Sequence, residues 1–338
     1  MYSGFVIGLL LGFLLQRGQF CFVSGFRSIY TQKSLRFLTA LFIAISIQSV
    51  GFFTLEHFGI IQMPTSQLPL LATLLGGLLF GIGMSLANCC GSGAWFRTGE
   101  GAIGSYLALL SFAFTMAATQ SGILKYQING LLENPLPLDN MYLTFQLSPW
   151  YFVILLIFST ALLGYVEWRS RRYRFPTPPS PAIIFPKIFA RTWSPFLTAV
   201  AIGILGVIAW WLSADAGRNF GFGIAVPSAN VIQYIVTGQQ RYLNWGTLFV
   251  LGIPLGALLS AKLAGELRWR LPEPKGILQR IFGGIIMGIG AALAGGCTIT
   301  NALVSTAYFS WQGWLATLMM MFGCWITAVF IKPTQCGV

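Results

Sequence analysis

The sequence predicts an all-α integral membrane protein of about nine transmembrane helices, with four further short helices that are re-entrant or broken. Of its 338 residues, 56% are hydrophobic and only 8% are charged, whereas a soluble domain carries roughly 25% charged residues. Apolar runs of about 20 residues, the length that crosses a bilayer, follow one another along the chain. One glycine-rich stretch also occurs twice, which predicts an internal repeat.

The repeated stretch is GGLLFGIGMSLANCCGSG, from Gly76 to Gly93, and GGIIMGIGAALAGGCTIT, from Gly283 to Thr300. The two copies align without a gap, and each ends at a cysteine, Cys90 or Cys297, among small and hydroxyl residues. An apolar run that stops in this way predicts a discontinuous transmembrane helix. Because irregular backbone inside a bilayer is tolerated only where protein or a wet cavity satisfies it, such helices commonly line substrate paths.

The first half of the chain contains four predicted spans. A first span, from Tyr2 to Gln16, meets a break at Arg17 to Cys21, and the apolar piece that follows, to Tyr30, is too short to cross the bilayer. The other three spans of this half are Leu35–Leu55, Leu68–Asn88 and Gly101–Gln120. A second short piece follows Cys90, and Ser121 to Ser148 is predicted as a polar loop.

The middle of the chain is a span followed by a basic linker. Trp150 to Trp168 is the fifth span, and the strongest charge run follows, with four arginines from Arg169 to Arg174, a proline cluster, Lys187 and Arg191. Such a run is typical of a cytoplasmic loop. The predicted organisation is therefore a first repeat over residues 1–148, a linking helix and loop over 149–192, and a second repeat over 193–338.

The second half of the chain repeats the order of spans, breaks and short pieces found in the first half. A break from Gly217 to Phe222 matches Gly18 to Phe22, with Gly221 where Cys21 stands. The predicted spans are Trp193–Ser213, Asn244–Leu263, Ile281–Gly296 and Trp311–Ile331. The two short pieces of this half run from about Pro227 to Thr237, and from Cys297 to about Phe309.

The charges predict the orientation. The net charge is +12, and most basic residues lie in Arg17 to Arg36, in the linker and in Lys262 to Arg280. All three groups are cytoplasmic together only if the N-terminus is outside and the C-terminus inside. The first and sixth spans then run in opposite directions, so the halves are inverted repeats related by a pseudo-twofold axis. In such transporters the substrate site lies between the repeats near the midplane.

Three cysteines at the breaks are the candidate path residues: Cys21, Cys90 and Cys297. A buried free cysteine usually packs as a small hydrophobic residue, and that remains our interpretation of Cys89 and of the cysteines at positions 324 and 336. Thiols at helix breaks offer weak S–H donors and a polarizable surface that suits sulfur atoms.

The short helices beyond the breaks begin at small or hydroxyl residues. Their first N–H groups have no partner within the helix and carry positive potential, which favours an anion. Together with the thiols, these helix ends predict a small sulfur-containing anion as substrate. The candidate anion-binding residues are Gly91, Ser92, Gly93, Thr298 and Thr300. For Arg97 and Glu100 we expect a mutual pair or a place at the membrane interface, with a gating role as the alternative.

Three stretches carry a family resemblance: RGQFCFVSGFR, NCCGSGAWFRTGEG and GGIIMGIGAALAGGCTITNAL. They resemble the YeeE/YedE family of sulfur-compound transporters, and the similarity extends over essentially the whole chain. The resemblance implies thiosulfate uptake across the bacterial inner membrane through a central, hourglass-like path. Its three important cysteines map onto Cys21, Cys90 and Cys297. It also implies a small cytoplasmic partner, a TusA-like sulfurtransferase. Asn88-Cys89 stands where the family pattern has glycine before the motif cysteine.

Several function classes are disfavoured. The single histidine, His57, argues against a histidine-rich metal centre and a Ser-His hydrolase, and no nucleotide-binding motif occurs. We therefore expect no cofactor, no metal, no enzymatic activity and no nucleic-acid partner. The alternatives are a membrane-embedded sulfurtransferase that passes persulfide sulfur, a transporter of a related sulfur or selenium compound, and a structural subunit. No basic residue adjoins Cys90 or Cys297 in sequence, which weighs against the sulfurtransferase.

Overall fold

The computed structural model describes residues 1–65, 67–133, 135–171 and 193–330. The proline-rich part of the predicted linker and Cys336 lie outside the described residues. The described chain is helical, without strands, and nine of its helical segments are long and apolar enough to cross a membrane. The predicted class, an all-α membrane protein, is confirmed.

The helices have the following bounds, numbered in chain order. They are α1 Tyr2–Gly18, α2 Phe22–Thr31, α3 Arg36–His57, α4 Leu70–Ala87, α5 Gly91–Gly99, α6 Ile103–Ser121, α7 Lys125–Leu132, α8 Met141–Thr144, α9 Pro149–Arg171, α10 Pro195–Asp215, α11 Ala225–Thr237, α12 Trp245–Leu263, α13 Pro274–Leu293 and α14 Trp311–Phe330. A 3₁₀ turn covers Gln240–Tyr242, and a π-helix covers Thr300–Ser305.

The four predicted short pieces are all helical. Three of them are α2, α5 and α11, and the fourth extends over residues 298–307 with the π-helix Thr300–Ser305 inside it. The sequence did not predict the π-helix. Such π-helical turns are rare and frequently lie at functional sites.

Two boundaries differ from the predictions. Helix α13 begins at Pro274 rather than Ile281, because proline suits the first helical turn and the long stems of Lys275 and Arg280 can reach the interface from within it. The same helix stops at Leu293, before the predicted end at Gly296. The predicted polar loop 121–148 contains α7 and α8, and α7 forms because Ile128 is buried against α4 and α13.

Helices α1 and α12 touch backbone to backbone. A Cβ atom built at Gly8 would lie 2.0 Å from the Phe249 carbonyl oxygen, and one at Gly256 would lie 1.9 Å from the Leu9 carbonyl oxygen. Lipid removes the hydrophobic driving force between helices, so close van der Waals contact through small residues holds such pairs together. These glycines are therefore required for the packing of α1 on α12.

Helices α4 and α13 make the same kind of contact reciprocally. A Cβ at Gly76 would lie 2.4 Å from the Ala294 nitrogen and 2.8 Å from the Gly290 oxygen. A Cβ at Gly283 would lie 2.4 Å from the Ala87 nitrogen and 2.8 Å from the Gly83 oxygen. The contact at Gly283 is the repeat counterpart of the contact at Gly76, so the two broken helices pack symmetrically.

Other helix pairs are also reciprocal between the halves. Helix α1 packs on α12 as α10 packs on α3, α4 packs on α14 as α13 packs on α6, and α2 packs on α14 as α11 packs on α6. Helix α9 packs mainly on α3, and only 11% of its apolar window is buried. This pairing supports an inverted repeat with α9 as the unpaired linking helix, and the division into repeats stays a prediction.

A glycine substitution tests the packing of α1 on α12. Replacing Gly8 by leucine should lower the melting temperature of the purified protein, because its Cβ has no room beside Phe249 and overpacking typically costs about 1–3 kcal/mol. Gly164→Leu is the matched control, since nothing lies within 4 Å of a Cβ at that position. Equal melting temperatures for the two variants in a detergent melt would contradict the packing described above.

Candidate functional site

Each candidate cysteine lies between a long helix and a short helical segment. Cys21 is the N-cap of α2, Cys90 is the N-cap of α5, and Cys297 directly precedes the segment 298–307. All three side chains are buried, and none of them forms a disulfide. The long helices before the first two breaks end in left-handed residues, Gln19 with φ 44° and Asn88 with φ 56°.

Cys90 is held by the start of its own short helix. Its sulfur accepts a hydrogen bond from the Gly93 N–H at 3.4 Å and lies 3.3 Å from the Ser92 hydroxyl. The thiol thus satisfies one of the unpaired donors of the first turn, as a capping side chain does. The Thr298 hydroxyl from the other half lies near this thiol; it is buried and makes no hydrogen bond of normal geometry.

Cys297 meets the first half of the chain at Gly91. A Cβ atom built at Gly91 would lie 3.4 Å from the Cys297 Cβ, and the Cys297 sulfur lies 3.7 Å from the Thr300 hydroxyl. Gly91 immediately follows Cys90, so the two equivalent breaks come together here. The structure therefore places Cys90 and Cys297 side by side, with the candidate hydroxyl groups around them.

Cys21 is linked to α5 by an arginine. The Arg97 guanidinium donates to the Cys21 sulfur at 3.5 Å and to the Asn88 carbonyl oxygen at 3.0 Å. The sequence does not predict this contact, because 76 residues separate Arg97 from Cys21. A nearby cation stabilises negative charge on a thiol or on an ion beside it.

Glu100 lies one turn beyond Arg97 and faces α1. Its carboxylate accepts a hydrogen bond from the Gln19 side chain at 2.8 Å. Burial raises the pKa of the Glu100 carboxyl above its ordinary value, although the bond from Gln19 and the charges of Arg97 and Arg270 act in the opposite direction. Glu100 therefore accepts a proton more readily than an exposed glutamate does.

The sequence also did not predict an ion pair between a buried arginine and a partly exposed glutamate, directly before the first break. Arg17 is fully buried and pairs with Glu266, and Gln16 donates to the same carboxylate at 2.9 Å. The Ser260 hydroxyl completes the group by donating to the Gln16 side chain at 2.6 Å. This network fixes the end of α1 against the end of α12, directly before the break that leads to Cys21.

The matching break of the second half has Gly221 at the position of Cys21, and it also contains an arginine, Arg218. The Arg218 guanidinium donates to the Ser213 hydroxyl at 3.1 Å, to the Phe220 oxygen at 3.1 Å and to the Gly221 oxygen at 3.0 Å. The backbone carbonyls of this break are thus satisfied by its own arginine.

Open spaces lie beside the breaks on two sides of the protein. A cavity of about 300 Å³ between α6, α7, α11 and α13 is lined by Gly295 and Gly296, which directly precede Cys297. On the opposite face, a groove of about 560 Å³ along α2 has Cys21 in its wall. Cys90 and Cys297 lie between these spaces and are 0% exposed, so the centre is closed in this conformation.

The remaining cysteines pack against neighbours. Cys89 is buried, its thiol points to the Ala87 carbonyl oxygen at 3.5 Å, and a Cβ at Gly93 would lie 3.3 Å from the Cys89 Cβ. Cys324 accepts from the Ser85 hydroxyl at 3.1 Å within the contact of α4 and α14. Both environments are consistent with the packing role that we expect for these residues.

Comparisons with known proteins agree with this architecture. The chain matches the family model described as Sulphur transport over residues 17–326. It is 40% identical over 336 residues to the thiosulfate transporter TsuA of Escherichia coli (strain K12). The alignment covers 98% of this chain and 96% of that protein. It is 30% identical over 344 residues to the thiosulfate transporter TsuA of Spirochaeta thermophila, and this alignment covers 97% of this chain and 98% of that protein. A more distant match, 27% identical over 172 residues, is the probable transporter YedE of Salmonella typhimurium, of which 41% is covered.

A cysteine introduced at position 91 tests the meeting of the two breaks. We expect Gly91→Cys to form a disulfide with Cys297 under mild oxidation, because the Cβ separation of 3.4 Å is close to the roughly 3.5–4.5 Å of natural disulfides. The experiment uses a background in which the other cysteines are replaced by serine, with peptide mass spectrometry as readout. Gly164→Cys in that background is the control; cross-linking no more efficient than this control would contradict the placement of Gly91.

Proposed function

Because the chain belongs to the Sulphur transport family, we propose that it takes up thiosulfate across the bacterial inner membrane. The observation that carries the proposal is the meeting of Cys90, beside Gly91, with Cys297 between spaces that open toward opposite ends of the protein. The relatives named thiosulfate transporter cover nearly the whole chain, so the proposal applies to the complete architecture. We propose no catalytic step.

The proposed path begins at the cavity lined by Gly295 and Gly296 and passes Cys297 and Cys90. It ends at Cys21 and the groove along α2. The helix start at Gly91 to Gly93 and the Thr298 hydroxyl supply donors in its central part. These donors offset part of the cost of removing a dianion from water. The short helical segment that contains Thr300 contributes in the same way from the second half.

Neutral thiols suit this path better than thiolates. A thiolate would repel a passing dianion at close range, and the repulsion is strong where the local dielectric constant is low. A neutral S–H group instead donates a weak hydrogen bond. Several weak sites let an ion enter and leave, whereas one tight site would retain it. In the proposed mechanism Cys297, Cys90 and Cys21 therefore pass the ion along without forming a covalent bond.

Arg97 and Glu100 form the proposed gate at the inner end. Arg97 joins the Cys21 thiol to the Asn88 carbonyl, so its guanidinium occupies the position that an anion at Cys21 would need. An arriving anion can replace the carbonyl as a stronger partner for the guanidinium. Glu100 lies beside it, and burial raises the pKa of its carboxyl group, so this group can take up a proton more readily than an exposed glutamate.

The proposed orientation places the N-terminus outside and the C-terminus inside. The basic segments lie at one end of the protein, because the Trp193 N–H donates to the Arg17 oxygen and Arg17 pairs with Glu266. Positive charge concentrated at one end is typical of the cytoplasmic side. We further propose that a TusA-like sulfurtransferase receives sulfur at this end, as the family resemblance implies.

One observation favours a second candidate function. The contact of Arg97 with Cys21 at 3.5 Å provides Cys21 with the cation that a persulfide-forming cysteine needs. A sulfurtransferase would bond the outer sulfur of the substrate to Cys21 and release sulfite. Transport of the intact ion assigns a role to Cys21, Cys90 and Cys297, whereas this chemistry uses Cys21 alone, so transport fits the site better.

Uptake by cysteine variants tests the proposed path. Vesicles with the wild-type protein should accumulate labelled thiosulfate, Cys90→Ala and Cys297→Ala should lose uptake by about ten-fold or more, and Cys89→Ala should retain most of it. The physical reason is that only the first two replacements remove donors from the path, while each replaces one buried side chain of the same size. Equal losses at Cys89 and Cys90, at equal amounts of folded protein, would show that the path is misassigned.

A reporter fusion tests the orientation. A fusion after Arg174 should behave as cytoplasmic, since the arginines that follow α9 hold this loop inside. A matched fusion in the loop between α3 and α4, which contains no lysine or arginine from Glu56 to Gln67, should report the opposite side. A periplasmic signal from the fusion after Arg174 would refute the orientation and the inverted pairing deduced from it.

A further inference from the structure

A second, smaller cavity lies beside Cys21 at the basic end of the protein. Its volume is about 100 Å³, and it lies between the end of α5, the start of α6 and the loop that leads to α13. A water molecule needs about 10–15 Å³ of such space, so the cavity has room for an ion of a few heavy atoms. Its charged lining residues are Arg97, Arg270, Arg280 and Glu100. We call this space the arginine cavity.

The charge of the arginine cavity suits a dianion. Three guanidinium groups face one carboxylate, which leaves two positive charges in excess. Arg280 is half-buried, and among the described residues no carboxylate lies within salt-bridge distance of it. A cation that is partly removed from water and has no acidic partner favours an anion beside it.

The fold fixes the positions of these arginines. Arg270 belongs to a backbone bridge, in which its N–H donates to the Gly101 oxygen at 3.0 Å and the Ile103 N–H donates to the Arg270 oxygen at 3.2 Å. The Arg280 guanidinium lies on Gly104, since a Cβ at Gly104 would lie 2.2 Å from its Nη1 atom. The start of α6, with its positive helix potential, forms the same wall.

Arg97 connects the arginine cavity to the proposed path. It lines the cavity together with Asn88, and it also donates to the Cys21 sulfur. The wider groove along α2 also reaches Cys21, but its serines are already used: the Ser24 hydroxyl donates to the Cys21 oxygen and the Ser28 hydroxyl donates to the Gly25 oxygen. The groove is larger, but the arginine cavity has the greater excess of positive charge.

We propose that the arginine cavity is a binding site for a small divalent anion of the thiosulfate class, occupied after the ion passes Cys21 and before it reaches the cytoplasm. The proposal rests on the proposed uptake function for the identity of the ion. Arg280 and Arg270 bind the ion directly, and Arg97 hands it over from the thiol. Release through the wider groove is the competing route.

Transport from each face of the membrane tests the site. In inside-out vesicles, Arg280→Gln and Arg270→Gln should each raise the KM for thiosulfate about ten-fold or more, because each removes a charged donor. In right-side-out vesicles, where the ion first meets the other face, the KM should stay within about two-fold of wild type. Arg280→Lys should restore part of the loss, since it keeps the charge but not the planar fork.

A matched control comes from the same loop. Arg268→Gln removes the same charge, but the Arg268 side chain does not line the cavity, so its KM should equal that of wild type in both orientations. A KM in inside-out vesicles that is the same for Arg280→Gln, Arg270→Gln and Arg268→Gln would overturn the proposal. An equal rise in both vesicle orientations would also overturn it, because a merely structural defect acts on both faces.

Equilibrium binding separates the site from the proposed function. Purified wild-type protein should bind labelled thiosulfate with higher affinity than Arg280→Gln, and Arg268→Gln should bind like wild type. If the wild-type protein shows this difference but transports no thiosulfate, the proposed function fails and the anion site stands. If the protein transports thiosulfate and Arg280→Gln binds it as wild type does, the anion site fails and the function stands.

Discussion

The close contact between α4 and α13 is the constraint on which the site depends. Gly76 and Gly83 on one helix, and Gly283 and Gly290 on the other, leave no room for a Cβ atom against the opposite backbone. The two helices therefore lie backbone to backbone along the repeated stretch, which fixes their ends relative to each other. Each then stops just before a cysteine, so one glycine contact positions both breaks.

The geometry of the breaks follows from local backbone preferences. Helix α4 ends at Asn88 with φ 56°, and Gly295, its counterpart beyond α13, has φ 72°. Glycine and asparagine are the residues that adopt the left-handed conformation at least cost. The chain therefore turns sharply at equivalent positions, and Cys90 and Cys297 follow two residues later. Asn88 fills a position where the family pattern has glycine without preventing this turn.

The distribution of charge along the proposed path has a simple electrostatic logic. The central cysteines have hydroxyl and N–H neighbours, which attract an anion weakly. The arginines lie toward the basic end, at Cys21 and beyond it. Full charges in a low-dielectric centre would bind an ion too tightly to release it. Nearer to water the same charges are screened, and they can hold an ion briefly.

Much of the fold could be predicted from the sequence, because apolar length and glycine spacing act locally. The nine spans and the breaks at Cys21, Cys90 and Cys297 follow from such local patterns. The start of α13 at Pro274 was missed because lysine and arginine in its first turns resemble a loop. The π-helix was missed because no propensity rule distinguishes it from an α-helix.

The site could be predicted only in part for a related reason. Repeat alignment paired Cys90 with Cys297, since equivalent residues of two repeats lie near their common axis. The contact of Arg97 with Cys21 and the pair of Arg17 with Glu266 join residues far apart in the chain. No spacing pattern in the sequence predicts such contacts. For the same reason, the bridge between Ala102 and Arg270, which completes the arginine cavity, is visible only in the folded protein.

The most direct measurement is the fate of the two sulfur atoms of one thiosulfate ion. Vesicles that contain the purified protein are given thiosulfate labelled differently in its outer and central sulfur atoms, and the lumen is analysed by mass spectrometry during uptake. Passage of the intact ion predicts that both labels enter together in equal amounts, with Cys21, Cys90 and Cys297 unmodified. Entry of the outer sulfur alone, with a persulfide on one of these cysteines that forms and decays with turnover, would contradict transport of the intact ion.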